Sequence, residues 1–198
     1  MGFLTEYLNN ELTFAGQRFE INPAFDTVLA IRDLFDEEDL TDADKIGQAL
    51  KMLTVSGNYE ALSVSEQNKL LEMIYDQCVK IRKRPKTRNA LPTVDFEYDG
   101  EYIYASFMSD YAIDLIDVQG ILPWKKFIAL FQGLSSATKI REVMRIRSMD
   151  VPKFNGKNSK EIQEIQELKS FYALPVRGGG GQKGLDVLFS ALEQMANS

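Results

Sequence analysis

The sequence predicts an all-α fold with a small N-terminal β-hairpin, on three observations. Apolar residues recur at i, i+3, i+4 and i+7 in successive stretches between Phe25 and Leu192, the spacing of amphipathic helices. Strict alternation of apolar and polar residues occurs in one place, between Leu12 and Ile21. The chain has only 6 prolines, and they fall between stripes or in first helical turns, where the missing N–H costs nothing.

The elements follow in order. Leu12 and Phe14 alternate, Ala15-Gly16 turns, and Phe19 and Ile21 alternate on the return, which predicts the hairpin. Asn22-Pro23 opens a helix whose apolar side is Phe25, Val28, Leu29, Ile31 and Phe35. The acidic stretch Asp36 to Asp44 is a loop and helix entry, with Thr41 or Asp42 as cap. Ile46, Ala49, Leu50 and Leu53 form the next stripe, ended by Ser56-Gly57-Asn58. Ser63 or Ser65 caps a longer helix with Leu70, Met73, Ile74, Cys78 and Ile81 inward. Its last turn holds Lys80, Arg82, Lys83 and Arg84, cations suited to the negative end of the helix dipole.

Past a linker around Pro85 to Pro92, Tyr104, Phe107, Met108, Tyr111, Ala112 and Leu115 predict a helix over 99–117. Gly120 interrupts it and Pro123 restarts a helix bearing Trp124, Phe127, Ile128 and Phe131, closed by Gly133. Ser135 or Ser136 caps a third helix of this block, with Ile140, Val143 and Met144 inward. After a loop with Pro152 and Gly156, a fourth places Ile162, Ile165, Leu168 and Tyr172 inward and stops at Pro175. Gly178 to Gly181 is a flexible connector, and Leu185, Leu188, Phe189 and Leu192 outline a terminal helix. The expected organisation is a hairpin with helices over 1–84, a linker over 85–98 and a helical block over 99–174. A glycine-rich connector over 175–184 and an amphipathic helix over 185–198 complete it.

Composition narrows the function. The sequence has no histidine, and Cys78 is its one cysteine. That excludes histidine-based zinc sets, Ser-His-Asp and Cys-His nucleophile systems, and intramolecular disulfides. No cofactor and no metal site is expected, and the chain does not read as an enzyme. Cys78 sits on a helical apolar face and reads as a small buried hydrophobe. No apolar run approaches the roughly 20 residues of a membrane span, and the acidic N-terminus lacks a secretory signal. A soluble cytosolic protein is expected.

The net charge of −6 is uneven. Residues 1–79 hold 5 basic and 15 acidic residues, whereas 80–88 (KIRKRPKTR) hold 6 basic and none acidic. The acidic half opposes non-specific binding to nucleic acid. The basic run reads as a solvated linker in preference to a polyanion patch. RGGGGQKG lacks the Gly-Lys-Ser/Thr ending of a phosphate loop and reads as a linker. Trp124 to Phe131, the Gly133 turn, and Ser135 to Arg147 have the outline of a helix-turn-helix. It would turn Ser136, Lys139, Arg141, Arg145 and Arg147 to a phosphate backbone, but the same outline is an ordinary αα-corner.

Aromatic residues crowd between Tyr98 and Phe131. Most are needed for a core, and a few are expected as protein-contact anchors. The candidates are Tyr104, Tyr111, Trp124 and Phe127, joined by Leu188 and Phe189 of the terminal helix.

The segment starting at Asp95 and running to Pro152 also resembles a phage family, the gene-product-fifteen proteins of siphophages of Gram-positive hosts. The similarity is carried by Tyr104 to Phe107 (YASF), Asp110 to Leu115, Trp124 to Phe127, and the Gly133 to Ser135 turn. Pro123 departs from the family pattern, which has a histidine or tryptophan there. Such genes lie between those of the tail tube and the tape measure, where tail assembly chaperones are encoded, many of them in two lengths by frameshifting. The resemblance therefore implies a chaperone in the host cytoplasm. Its partners would be the tape measure protein and the tail tube protein, with self-association allowed for and no nucleic acid or membrane partner. The alternatives are a structural tail component retained in the virion and a helix-turn-helix DNA-binding regulator.

Overall fold

The computed structural model describes residues 10–80 and 93–175. They fall into two units: residues 10–80 with Ile116–Ala129, and residues 93–115 with 130–175. The expected linker around Pro85 to Pro92, most of the basic run, the glycine connector and the terminal helix lie outside the described residues.

In the first unit, β1 (Glu11–Phe14) and β2 (Gln17–Ile21) form the expected hairpin, with Leu12 opposite Phe19. Both turn residues have positive φ, Ala15 at 48° and Gly16 at 75°, as the tight hairpin turn requires. Alternation buries Leu12, Phe19 and Ile21 on one side. A third strand that the sequence did not signal, β3 (Thr54–Ser56), adds antiparallel to β2. Gly57 follows it at φ 119°, and a Cβ there would lie 2.3 Å from the ring of fully buried Phe19. We expect Gly57→Ala to cost roughly 2–4 kcal/mol, backbone strain and overpacking together. Urea denaturation checks this, and a loss under about 0.5 kcal/mol, the range of a neutral surface change, would contradict it.

Helices α1 (Phe25–Asp36), α2 (Asp42–Leu53) and α3 (Val64–Ile74) complete most of this unit. The α2 stripe is the expected one, with Ile46, Ala49, Leu50 and Leu53 all buried. Thr41 caps α2, its hydroxyl oxygen accepting from Asp44 N at 3.2 Å. Lys45 Nζ donates to Phe35 O near the end of α1, at 2.9 Å, where a cation meets the negative dipole end. Ser63 and Glu66 form a reciprocal capping box on α3, and these hydrogen bonds hold the Glu66 carboxyl below its ordinary range.

The expected straight helix through Cys78 is corrected. α3 passes into a π-turn at Tyr75–Val79, which buries both Cys78 and Val79. Leu71 takes the inward place given to Met73, which is 37% exposed. At 100° per residue the centre of the stripe Leu70, Leu71, Ile74 lies well away from Met73.

The segment before α5 (Trp124–Gly133) is pinned to the start of α1. Phe25 N donates to Leu122 O (3.0 Å) and Trp124 N to Pro23 O (2.8 Å). Gly120 N donates to Asp26 Oδ1 (2.9 Å) and accepts at its carbonyl from Asn22 Nδ2 (2.8 Å).

In the second unit, α4 (Gly100–Tyr111) and α6 (Lys139–Ser148) share a core of Ile103, Phe107, Ile140, Val143 and Ile146. Buried Ser106 joins them, its hydroxyl accepting from Ile140 N (3.1 Å) and donating to Tyr102 O (2.6 Å). The predicted helix over 99–117 is shorter than expected. Ala112 turns left-handed at φ 51° and ends α4, so Leu115 is buried from a later turn. The inward face is Ile103, Ser106 and Phe107, with Met108 40% exposed. Neither Ser135 nor Ser136 caps α6, whose N-cap is Thr138. Ser135 instead donates through its N–H (2.7 Å) and hydroxyl (3.1 Å) to the Asp110 carboxylate. Met144 is half-buried, and Ile146 takes its inward place.

The last described helix, α7 (Ser159–Phe171), carries the expected stripe but buries none of its residues. Ile162 and Ile165 are half-buried and Leu168 is 45% exposed.

Candidate protein-contact surface

The aromatic residues expected as contacts divide sharply. Trp124 and Phe127 are each 1% exposed. Trp124 stacks on Phe127 with ring centroids 5.7 Å apart, and Phe127 stacks on Phe25 at 4.8 Å. Both are core of the first unit and present no surface to a partner. Tyr104 and Tyr111 are half-buried, the Tyr111 ring edge-on to Phe107 at 5.8 Å and both hydroxyls used locally. Tyr104 Oη donates to Asp114 Oδ2 and Tyr111 Oη to Leu130 O, each at 3.0 Å. Leu188 and Phe189 lie outside the described residues.

The basic residues of the helix-turn-helix outline are largely committed within the second unit. Arg141 donates through Nε to Leu134 O (3.1 Å) and through Nη2 to Gln132 O (2.8 Å). Arg147 is buried in a two-bond pair with Asp99, at 2.5 and 2.8 Å. Lys139 donates to Tyr172 Oη at 2.8 Å and to Glu142 at 2.9 Å, bonds that push its pKa up to about 12. Arg145 and Ser136 remain at the exposed surface. Two exposed side chains are a poor phosphate-tracking surface.

A cleft of about 20 Å³ between Val28, Ile31, Leu53, Leu71, Ile74, Tyr75 and Val79 has an apolar lining. Cys78 is buried nearby in the same π-turn, and burial pushes its thiol pKa up, away from the reactive thiolate.

The exposed apolar residues form a different set from the expected one. On α7, Phe171 is 73% exposed and Leu168 45%, spaced i, i+3 on one flank, and Phe154 just ahead of the helix is 68% exposed. Glu161, Glu164 and Glu167 lie on the same solvent side. Glu164 projects between Leu168 and Phe171, so this flank mixes exposed apolar and acidic side chains. Exposed apolar residues at helical spacing are where a helix pairs with another amphipathic helix. The sequence signalled the stripe but placed Leu168 inward; Phe171 and Phe154 gave no signal.

Among the described residues, no helix is long and apolar enough to cross a membrane. A family model described as Bacteriophage Gp15 protein matches residues 4–174, most of the chain. No curated protein and no solved structure matches it.

Proposed function

The chain belongs to the bacteriophage Gp15 family, and on that premise we propose that it is a non-catalytic tail assembly chaperone. It binds the tape measure protein and keeps it soluble while tail tube subunits polymerise around it. The observation that carries the reading is α7, an amphipathic helix with no buried residue that turns Leu168 and Phe171 to solvent. A long helical rod exposes repeated apolar stripes until a tube encloses it. Coating such a rod takes many copies of a small protein offering a helical apolar flank. A net charge of −6 on each copy keeps the coated assembly dispersed.

Contacts of this kind must stay modest, because tube subunits displace the chaperone. We expect micromolar affinity per copy, about −8 kcal/mol, reinforced by multivalency along the rod. Co-expression with a tape measure protein should keep it soluble, and Leu168→Ser with Phe171→Ser should abolish this while helical circular dichroism is retained. A tape measure that stays insoluble and unbound at every stoichiometry sinks the proposal. Mass spectrometry of purified virions separates a chaperone, which leaves, from a structural component, which stays.

A further inference from the structure

We infer that α7 is a strap that opens on its own while α4 and α6 stay folded, with Tyr172 as its latch. The two helices beneath it share a buried apolar core, Ile103, Phe107, Ile140, Val143 and Ile146, all between 0% and 3% exposed. α7 contributes nothing of that kind, since none of its residues is buried.

Among the described residues, the polar ties between α7 and the rest of its unit converge on one end. Lys139 Nζ donates to Tyr172 Oη at 2.8 Å and lies 5.1 Å from the centre of that ring. Arg147 Nε donates to Tyr172 O at 2.6 Å, and the Tyr102 ring meets Tyr172 edge-on at 6.2 Å. One turn earlier, Lys169 Nζ donates to Arg147 O (2.9 Å) and Met149 O (2.6 Å). The opposite end is closed on itself. Asn155 N donates to Asn158 Oδ1 (2.9 Å) and Asn158 Nδ2 to Lys153 O (3.1 Å), both within the turn that precedes the helix.

Part-exposed hydrogen bonds exchange for water at little net cost, unlike an apolar core. A helix of 13 residues is marginal once undocked, so release of the latch opens the whole strap. Segments with few buried apolar contacts are those that open below the global free energy. Arg147 keeps Asp99 and Thr93 O when Tyr172 leaves, so the core pair does not depend on the strap. An opened α7 offers Ile162, Ile165, Leu168 and Phe171 together to a partner helix. That use rests on the chaperone reading; the opening is a property of the chain alone.

Amide hydrogen exchange of the full chain tests the opening without any partner. Amides of α7 should exchange at least 100-fold faster than those of α6, with a much weaker dependence on urea. Tyr172→Phe, which removes only the hydroxyl, should speed α7 exchange several-fold, and Tyr172→Ala more, with α6 rates unchanged. Equal rates and equal urea dependence in α6 and α7 would overturn the strap. So would a Tyr172→Ala variant in which both helices are accelerated alike.

Discussion

Asp99→Ala is expected to destabilise the second unit by about 3–5 kcal/mol, the cost of stripping one partner from a buried ion pair. Asp99 is fully buried and the Arg147 side chain is 6% exposed. The guanidinium spends its donors on four acceptors. Nη1 and Nη2 go to the two Asp99 oxygens, Nη1 also to Thr93 O (3.0 Å), and Nε to Tyr172 O. Asp99 Oδ2 accepts in addition from Asp95 N at 2.9 Å. Alanine at 99 leaves that cation buried with carbonyls alone. Arg147→Lys is no substitute, because an ammonium cannot form the two-bond fork and serve the flanking carbonyls. Asp99→Leu combined with Arg147→Met should recover part of the loss, since apolar pairs of similar volume replace buried ion pairs at low cost. Urea unfolding followed by far-ultraviolet circular dichroism measures all three variants. A loss below about 1 kcal/mol for Asp99→Ala, the range of an exposed pair, would refute this account.

That pair marks where the sequence stopped being readable. In the sequence Arg147 is one of four cations available to a phosphate backbone, and its carboxylate partner lies 48 residues away. Spacing along a helix reports a face, not what stands opposite. Where structure is local, the residues were sufficient. Leu12 and Phe19 alternate into a hairpin, Thr41 and Ser63 cap as their chemistry directs, and the α2 stripe is buried to the last residue. Where the backbone leaves its usual basins without a glycine, they were not. Ala112 ends α4 in the left-handed region at φ 51°, a conformation that alanine does not advertise. The strand Thr54–Ser56 is too short to alternate, and the π-turn at Tyr75–Val79 alters the helical phase from within.

The candidate contact surface was legible only in outline, for the same reason. The α7 stripe has the period of a helix packed on a core, and the period is identical in a helix lying on a surface. What separates the cases is whether neighbouring elements close over Leu168 and Phe171, which depends on long-range packing. The aromatic block shows the converse. Trp124 and Phe127 have the composition of contact anchors, yet the hydrogen bonds from 22–26 to 120–124 draw them against Phe25.

Trp124→Ala should therefore act on folding, at a cost of roughly 3–5 kcal/mol, as for other large aromatics removed from a core. The indole is 1% exposed and stacks on Phe127, which stacks in turn on Phe25, so its loss opens a cavity between two helix starts. The backbone bond from Trp124 N to Pro23 O survives the substitution and limits how far those starts can collapse to fill it. For a chain of this length, each kcal/mol moves the melting temperature by about 2–4 °C, so a fall on the order of 10 °C is expected. Circular dichroism is the suitable probe, because the variant removes the one tryptophan of the chain. Tyr111→Phe is the control, giving up one part-buried hydroxyl bond for about 0.5–1.5 kcal/mol. The opposite pattern, an unchanged melting temperature with loss of partner capture, would make Trp124 a surface anchor and overturn its place in the core.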